Sequence, residues 1–489
     1  MAIQLYDSLT RSLRPLKRRE EGRVSMYACG PTVYNFVHIG NARTILWFDF
    51  IRSYLEYRGY EVTFAMNYTD VDDKIIERSA IERTDAHTVA RKYSQAFEED
   101  MAALGVRPPT ILLRATEHID DMVKAIAGLI EKGVAYEAEG DVYFAVESFP
   151  EYGKLSGRSL EEMRAGERVE PGPHKRHPLD FALWKSAKEG EPSWPSPWGA
   201  GRPGWHIECS VMSTKYLGMG FDIHGGGADL TFPHHENEIA QAEALSGRKP
   251  FARTWLHAGL VQMESEKMSK SLGNVVLARD VIKAYSGPVA RFWALSGSYR
   301  SQVVFSDAAL ADAKQSYERL ENFHQAAAHV LGAEGRSGMS APRRVVGQEG
   351  LGDDEPANHL KRFIAALDDD FNTPAALASL HDLVRAGNRM MERAQRDERE
   401  GRAGLVAFAG AFLEATAVLG FDFGSRSGGP PELTGRLIDY LLELREDARR
   451  SREFERADAI RDRLSALGVA VEDTPSGPRW RLAGSGGDA

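Results

Sequence analysis

Hydrophobic positions between residues 24 and 70 change from strand-like to helical periodicity and back. Residues 24–28 form a short β-like run, and after a turn-rich loop apolar positions recur at helical spacing from Ile45 until Gly59 ends the helix. Residues 61–66 then resume as a strand. This order predicts a βαβ unit whose first loop lies at the carboxyl ends of parallel strands, where open α/β sheets bind ligands.

The alternation of strands and helices is interrupted and then returns. Helical patterns cover residues 74–104 and 116–132, whereas residues 134–203 contain short strand-like runs and many turns. A strand and glycines at 220–230, a helix at about 233–245 and a strand at 254–261 restore the pattern. We therefore expect an α/β fold with one Rossmann-like parallel sheet, split by an insertion.

Helical patterns dominate after residue 307, and Gly, Ser and Pro cluster at 331–342, at 424–431 and in the tail, as in flexible connections. The last ordered piece begins as helices and ends as two short strands around a Pro-Ser-Gly-Pro turn. The predicted division is 1–115 for the first half of the Rossmann-like domain, 116–203 for the insertion, 204–305 for the second half, 306–423 for a helical region and 432–482 for a small C-terminal α/β module.

Composition excludes several classes of protein. The 489 residues are 43% hydrophobic and 27% charged, and 61 Lys and Arg against 71 Asp and Glu give a net charge of −10. A nonspecific basic coat for nucleic acid is thereby excluded, so any nucleic acid must dock on a local basic face. No signal-like or membrane-spanning apolar run is evident, and we expect a cytoplasmic protein without a membrane partner.

The first loop ends in the sequence HIGN at residues 38–41, directly before the predicted helix. A helix N-terminus presents free N–H groups and the positive end of its dipole to phosphate oxygens. Gly40 permits close approach of the backbone, and His38 can donate a hydrogen bond to a phosphate. The motif predicts an ATP site. Alone, it is equally compatible with a helix start that carries an incidental His and Gly.

A second motif is the sequence EKMSKS at residues 266–271, which is predicted to be a loop. Its two ammonium groups, on Lys267 and Lys270, can close over a polyphosphate and stabilise the charge that develops as pyrophosphate is displaced. Taken alone, the segment is also typical of a solvated Lys/Ser loop.

Four candidate metal ligands are scattered along the chain. His234 and Glu238 are spaced i and i+4, which a helix places on one face, and Cys29 and Cys209 are the two cysteines of the sequence. Two thiolates, an imidazole and a carboxylate make up a tetrahedral set that suits zinc. The spacing is not that of a zinc finger, and two buried thiols beside a polar helix face would account for the same residues.

Together, these motifs resemble those of the class I aminoacyl-tRNA synthetases. HIG at the first crossover and KMSKS late in a divided α/β sheet are the signature pair of that class. The fourth position of the family's HIGH motif is Asn41 here, whose amide can still donate hydrogen bonds. By this resemblance, catalysis involves His38, Asn41, Lys267 and Lys270, the last of which contacts ATP.

Four longer segments resemble the cysteinyl-tRNA synthetases in particular: CGPTVY at residues 29–34, NYTDVDDK at 67–74, GWHIECS at 204–210 and GGGADLTFPHHENE at 225–238. The resemblance implies that Cys29, Cys209, His234 and Glu238 hold one zinc ion per chain, and that the substrates are L-cysteine, ATP with Mg²⁺ and tRNA(Cys). Zinc prefers a thiolate and lowers the thiol pKa, so a zinc ion can discriminate between cysteine and serine as substrates. An apolar pocket discriminates between them only weakly.

Other residues are candidates for substrate contacts. Thr69 and Asp70 follow the second strand and can bind the ammonium group of cysteine, or instead cap the next helix. Trp205 can wall the cysteine pocket, or it can serve in plain packing. Gly227 and Asp229 follow a strand and can meet the adenosine of ATP, with Asp229 on the ribose hydroxyls.

The helical region is expected to bind tRNA, and the C-terminal module to read its anticodon. Helical spacing predicts that Arg445, Arg449, Arg452 and Arg456 line one face that meets phosphates, with Trp480 as a stacking surface for a base. The alternative is a solvated helix face with ion pairs.

Two other functions fit part of the sequence. A ligase that joins cysteine to an amino sugar would use the same zinc and adenylation chemistry, but it would not need a tRNA-reading module. A non-catalytic zinc and nucleotide sensor would leave the KMSKS motif unexplained. We therefore expect a synthetase, and a monomeric one.

Overall fold

The computed structural model describes residues 2–165, 174–263, 275–337, 351–396, 399–423, 431–474 and 477–482. The chain divides into two compact units, Met1–Phe421 and Asp422–Ala489. The strands are β1 Gln4–Asp7, β2 Ser12–Pro15, β3 Arg23–Ala28, β4 Glu61–Tyr68, β5 Ile111–Arg114, β6 Ala135–Ala138, β7 Asp141–Phe144, β8 Phe181–Ser186, β9 Gly201–Pro203, β10 Phe221–Gly227, β11 Ala252–Ala258, β12 Val261–Met263, β13 Val303–Phe305, β14 Val469–Thr474 and β15 Gly477–Leu482.

The helices of the first unit are α1 Ile39–Tyr57, α2 Asp73–Glu82, α3 Ala86–Ala103, α4 Ile119–Glu131, α5 Leu160–Ala165, α6 Trp205–Leu217, α7 Glu236–Ser246, α8 Ala278–Tyr285, α9 Gly287–Leu295, α10 Asp307–Ser337, α11 Glu355–Asp368, α12 Thr373–Gln395 and α13 Arg399–Val418. The second unit contains α14 Pro431–Arg450 and α15 Phe454–Ala466.

Five parallel strands form the central sheet in the order β11-β10-β3-β4-β5. From the middle of the sheet, the chain proceeds through β3, β4 and β5 towards one edge and through β10 and β11 towards the other. The order therefore reverses between β3 and β10, and doubly wound sheets bind ligands at the strand carboxyl ends beside such a switch point. The expected α/β fold with a parallel, Rossmann-like sheet is confirmed.

Buried contacts fix the pairing of β3 with β10. The carboxylate of Asp222 accepts hydrogen bonds from the backbone N–H of Ser25 at 2.8 Å and from its hydroxyl at 2.7 Å. Further along, the N–H of Cys29 donates to the carbonyl of Gly225 at 3.1 Å. A Cβ at Gly225 would lie 2.1 Å from the ring of Phe48, so α1 packs directly against β10 only because this residue is glycine.

Several elements differ from the sequence-based prediction. The edge strand β5 and the helix α6 were not predicted, and the single helix expected at 74–104 is two helices, because the chain turns at Arg83 with a φ of 54°. The helix expected from about residue 233 begins at Glu236. Helix α10 extends to Ser337 into the predicted connection at 331–342, whereas residues 338–342, 424–430 and 483–489 of the three predicted connections lie outside the described residues.

The segment predicted as an insertion forms its own four-stranded antiparallel sheet, in the order β6-β7-β8-β9. Its core residues Phe144, Leu183 and Trp184 are fully buried. They belong to the hydrophobic cluster that continues under the central sheet through Ile207 and Cys209. The insertion is therefore packed on the central sheet beside the region that contains Cys209.

Helices α10 to α13 pack against one another after the last strand of the first unit. Among the described residues, α13 is long and apolar enough to span a membrane, yet half of its apolar stretch is buried in the fold, as in a core helix. Arg291 of α9 connects this helical region to α1 and to the turn after α3. Its guanidinium donates to the carbonyls of Leu419 at 2.7 Å and Gly105 at 3.0 Å, and it lies 3.3 Å from the carboxylate of Asp49 on α1.

The second unit is a helical pair with a β14-β15 hairpin. Its small core contains Ile438, Leu442, Leu464 and Val469. The side chain of Trp480 packs against this core and donates to the carboxylate of Asp439 at 2.8 Å, so part of the expected stacking surface is used internally.

The predicted arginine face on this unit is wrong. Helix α14 ends at Arg450 and α15 begins at Phe454, so the four arginines do not share one helix. The side chain of Arg445 is 3% exposed and makes a two-point ion pair with Asp473 at 2.7 and 2.8 Å, and Arg449 contacts the same carboxylate at 3.0 Å. Both arginines bind the hairpin to α14. Arg445 is buried, whereas the side chain of Arg449 is 45% exposed beside its ion pair.

We expect the substitution Arg291→Met to lower the free energy of unfolding of the first unit by about 3–5 kcal/mol, because it leaves buried carbonyls and the carboxylate of Asp49 without this cation. Urea unfolding of the full-length protein measures the change. The control is Arg385→Met, whose side chain is 74% exposed and pairs only with the neighbouring Asp382 in the described chain. There we expect a change within about 0.5 kcal/mol, and equal effects of the two substitutions would contradict the proposed role of burial.

Candidate functional site

A cavity of about 260 Å³ opens at the carboxyl ends of β3 and β10, beside the switch point of the sheet. Its walls come from the loop between β3 and α1, the start of α1, the start of α2, one face of α3, the start of α6 and the segment after β10. They contain the predicted site residues Cys29, His38, Asn41, Trp205, Gly227 and Asp229. The structure therefore brings the first motif, one cysteine and the glycine-rich segment to one place.

His38 caps the N-terminus of α1. Its Nδ1 atom accepts a hydrogen bond from the backbone N–H of Asn41 at 3.2 Å, which in the neutral ring assigns the proton to Nε2 as a donor. A Cβ at Gly40 would lie 3.1 Å from the same Nδ1, so a larger residue would push the ring aside. The side chain of Asn41 is exposed at the cavity.

Cys29, Cys209, His234 and Glu238 converge at the base of this region, and one ligand atom from each lies within 4.8 Å of all the others. All four residues are buried. The Sγ of Cys29 lies 3.3 Å from Oε1 of Glu238, and Nε2 of His234 lies 3.1 Å from the same oxygen. Tetrahedral zinc with nitrogen and oxygen ligands at about 2.0 Å separates neighbouring ligand atoms by roughly 3.3 Å, which these distances match.

The polar atoms of this cluster fit a cation. Within the described part of the chain, the Nε2 atom of His234 is buried and makes no hydrogen bond. Its Nδ1 atom is 2.9 Å from Nδ1 of His206, and the ring stacks on Trp205 with centroids 4.2 Å apart. The contact of Nδ1 with His206 thus orients the imidazole, and its Nε2 atom, on the side of the thiols, is left without a hydrogen bond. This is the arrangement expected for a metal ligand.

A second set, Cys29 with His224, His235 and Glu238, satisfies the same distance criterion. In this set, however, Nε2 of His224 is 2.7 Å from Oε2 of Glu238, and Nδ1 of His235 is 2.8 Å from Nε2 of His257. These histidines orient the carboxylate and each other. The set with two thiols offers softer ligands, and we therefore prefer it for zinc.

Burial controls the protonation of these groups. It raises the pKa of the Cys29 thiol well above its usual value and also raises the pKa of Cys209. It lowers the pKa of His206 to about 3 and holds the pKa of His234 well below its usual value. Without a bound cation the histidines are neutral and the thiols protonated, so ionised thiols here need a compensating positive charge.

Thr69 is placed differently from the predicted substrate contact. Its hydroxyl donates to Oε2 of Glu208 at 2.8 Å, and both residues are buried below the cavity wall. Asp70 accepts from the N–H and the hydroxyl of Thr116, at 3.0 and 2.6 Å, and the cap of α2 is Asp72. The carboxylate of Asp70 therefore fixes the turn after β5 and neither caps α2 nor faces the cavity.

Asp229 is exposed on the cavity wall after β10. A Cβ at Gly227 would lie 2.4 Å from Oδ1 of Asp229, so the glycine leaves room for this carboxylate. Lys267 and Lys270 lie outside the described residues. Residues 276–278 pair with the segment around His38: the N–H of Ile39 donates to the carbonyl of Val276 and the N–H of Ala278 donates to the carbonyl of Val37, both at 2.9 Å.

Several polar residues of the site were missed by sequence reasoning. Asn67 at the end of β4 accepts from the N–H of Gly30 at 3.1 Å and from the thiol of Cys209 at 3.6 Å. Glu208 is fully buried, and burial raises its pKa well above the usual value. His206 and His224 orient the cluster. Asn67 and Glu208 lie within the quoted segments 67–74 and 204–210, which was a signal for them, whereas the histidine contacts depend on tertiary packing.

Comparison with known proteins defines the class of this fold. The structure of Mycobacterium tuberculosis methionyl-tRNA synthetase with methionyl-adenylate matches 81% of this chain and 89% of its own, with a TM-score of 0.58 and 15% identity. A leucyl enzyme, Agrobacterium radiobacter K84 agnB2 LeuRS with tRNA, matches 83% of this chain and 84% of its own, with a TM-score of 0.57 and 11% identity. The fold is that of the class I tRNA synthetases.

Family models and close relatives narrow this class. The models match "tRNA synthetases class I (C) catalytic domain" at residues 15–315, "DALR domain" at 362–424 and "Cysteinyl-tRNA ligase anticodon binding domain" at 431–481. The cysteine–tRNA ligases of Carboxydothermus hydrogenoformans and Heliobacterium modesticaldum are both 47% identical to this chain, over 98% and 99% of it and all of their own length. The chain belongs to the cysteine–tRNA ligases, enzymes of class I.

We expect Cys209→Ser to reduce the metal content of the purified protein to a small fraction of the unmodified chain, because it removes one of two soft ligands. The matched variant is His224→Gln, whose amide can keep the hydrogen bond to Glu238 and should retain metal. Elemental analysis of both proteins tests the assignment. Loss of metal from His224→Gln with retention in Cys209→Ser would instead support the second set of ligands.

Proposed function

We propose that the chain activates L-cysteine with ATP and transfers it to the 3′ end of tRNA(Cys). The single observation that carries this proposal is the two-thiol cluster, which lies at the same strand ends as the N-terminus of α1 and His38. A metal-ligating pocket suited to a thiolate and a phosphate-binding helix end are the two requirements for cysteinyl-adenylate formation.

The proposed reaction has two steps. A carboxylate oxygen of cysteine attacks the α-phosphorus of ATP, the bond to the bridging oxygen breaks, and pyrophosphate leaves with Mg²⁺. A ribose hydroxyl at the 3′ end of the tRNA then attacks the adenylate carbonyl, loses its proton, and AMP leaves. Both steps need positioning and charge stabilisation, which rigid donors on the sheet edge can supply.

Donors at the start of α1 are the proposed phosphate contacts. His38 donates from Nε2 to a phosphate oxygen, the backbone at Gly40 and the amide of Asn41 add hydrogen bonds, and Lys267 and Lys270 neutralise the pyrophosphate as it leaves. This assignment is supported by the cap geometry of His38, which assigns its proton to Nε2. We also propose that Gly227 and Asp229 contact the adenosine.

The cysteine substrate is proposed to bind beside the metal cluster. A zinc ion held by Cys29, Cys209, His234 and Glu238, one per chain, would supply a site that prefers the substrate thiolate to the hydroxyl of serine. Trp205 would wall this pocket, and Thr69 would act through Glu208 below it. The stacking of Trp205 on His234 supports its proximity to the bound amino acid.

We propose that each domain has the function that the sequence predicts for it. Residues 1–115 and 204–305 would perform the chemistry, with 116–203 as the insertion, while 306–423 would contact tRNA and 432–482 would read the anticodon. The family matches at 362–424 and 431–481 support the last two assignments. We further propose a monomer that acts in the cytoplasm.

Exchange of labelled pyrophosphate into ATP tests the first step. The full-length protein is expected to exchange with cysteine and at least about 100-fold less efficiently with serine, because an isosteric hydroxyl binds a zinc site weakly. It should then charge tRNA(Cys). Exchange without charging, combined with coupling of cysteine to an amino sugar, would favour the sugar ligase, and nucleotide binding without exchange would favour the sensor.

A chain ending at Gly428 is expected to retain cysteine-dependent pyrophosphate exchange and to lose most of its kcat/KM for tRNA charging. The reason is that residues 1–421 form a compact unit that contains the whole cavity. The matched measurement is exchange by the same protein, which reports whether the shortened chain is folded. Charging equal to that of the full chain would remove the anticodon role from the C-terminal module.

A further inference from the structure

Arg279 lies where three elements of the first unit meet. It is the second residue of α8, and its guanidinium makes a two-point contact with Asp100 of α3, from Nη2 to Oδ1 at 3.1 Å and from Nε to Oδ2 at 3.3 Å. The side chain of Asp100 is 7% exposed, so this partner is held in the packed face of α3. Such a paired, planar contact fixes the orientation of the guanidinium as well as its position.

The same guanidinium stacks on Phe36. Its Cζ atom is 3.8 Å from the ring centroid, the shortest cation–π distance among the described residues. Phe36 also packs edge-on against Tyr93, with centroids 5.2 Å apart. The ring forms part of the active-site cavity on one side and of an adjoining surface groove of about 400 Å³ on the other. The ring of Phe36 therefore separates these two spaces, and the guanidinium of Arg279 contacts it from the side of the groove.

Backbone pairing connects this contact to His38. The N–H of Ala278 donates to Val37, the N–H of Ile39 donates to Val276, and His38 lies opposite Leu277 in this short antiparallel bridge. Arg279 directly follows the bridge, and Phe36 directly precedes it on the other strand. Two backbone hydrogen bonds thus hold the segment 36–39, and the guanidinium of Arg279 holds it at Phe36.

We propose that Arg279 is a positioning residue that fixes the cavity wall at Phe36 and so aims Nε2 of His38 at the phosphates of ATP. This inference rests on the proposed function, because it assumes that the cavity binds ATP. Arg279 does not line that cavity itself and acts through Phe36 and the bridge. Lysine cannot replace it, since an ammonium group lacks both the planar stacking face and the two-point geometry.

The test uses the full-length protein with Arg279→Lys and measures cysteine-dependent pyrophosphate exchange. We expect kcat to fall about tenfold, as a small misplacement of a phosphate donor would produce, while KM for cysteine and the metal content stay within about twofold of the unmodified chain. Lys283→Met is the matched control, because Lys283 is exposed on the same helix, and its kcat should not change.

A double-mutant cycle separates positioning from general stability. Phe36→Leu removes the stacking ring, and if Arg279 acts through that ring, Arg279→Lys should lower kcat by less than about threefold in the Phe36→Leu protein. Asp100→Asn, which keeps the ring but weakens the second anchor, should give an intermediate loss of kcat. Thermal unfolding of every variant should give a midpoint close to that of the unmodified chain.

If the unmodified chain exchanges pyrophosphate with cysteine, three results would overturn the inference. Unchanged kcat in Arg279→Lys would show that the wall is held without it. Equal effects of Arg279→Lys with and without Phe36→Leu would show that it does not act through the ring, and a loss of metal or a lowered unfolding midpoint parallel to kcat would assign it a structural role. If the unmodified chain shows no exchange with cysteine, the proposed function fails, and the inference fails with it.

Discussion

The pairing of β3 with β10 joins the two halves of the parallel sheet, and the position of the cavity follows from it. It joins residues 197 positions apart in the chain, and the buried carboxylate of Asp222 fixes it through both the N–H and the hydroxyl of Ser25. Because parallel strands end at the same edge, this one pairing brings the loop after β3 and the glycines at the end of β10 to the same place. The cavity lies at that edge.

The candidate metal-ligand cluster is a group of ionisable side chains removed from water. Thiols, imidazoles and a carboxylate are buried together, and burial moves the pKa values of the cysteines up and those of the histidines down, so the neutral forms are favoured. Aromatic rings fill the space around them: Trp255 stacks on His224 at 4.4 Å, and Trp205 covers His234. The rings fix the geometry of the donors and keep water away, which strengthens electrostatic contacts with any bound cation.

The sequence predicted much of the fold, because strand-like and helical periodicities alternate along the chain. The candidate ligand set was implied by the resemblance to a known family, and the i and i+4 spacing of His234 and Glu238 was only a weak local signal. The unpredicted elements have physical reasons. Strand β5 is four residues long, at the edge of the sheet, and too short for a clear pattern. Helix α6 buries Glu208, Cys209 and Ser210 together and therefore has no polar face there to show helical periodicity.

The predicted arginine face on the last unit is wrong for a different reason. The spacing of the four arginines is helical, but the chain leaves the helix after Arg450, and the carboxylate that binds Arg445 and Arg449 comes from a hairpin more than twenty residues later in the sequence. Local spacing contains no information about such a partner. The same limit applies to the histidines around Glu238. His224 of β10 contacts Glu238, and His257 of β11 contacts His235, and local spacing shows neither contact.

The distance along the chain between β3 and β10 also has a consequence for synthesis on the ribosome. At about 5–20 residues per second, translation of the 197 intervening residues takes roughly 10–40 s, far longer than local folding. During that interval β3 can pair with β4, while its other edge stays open. The antiparallel sheet of the insertion pairs only strands from within its own segment, so it can close without using that edge. The nascent chain thus keeps its central strand available until its partner leaves the exit tunnel.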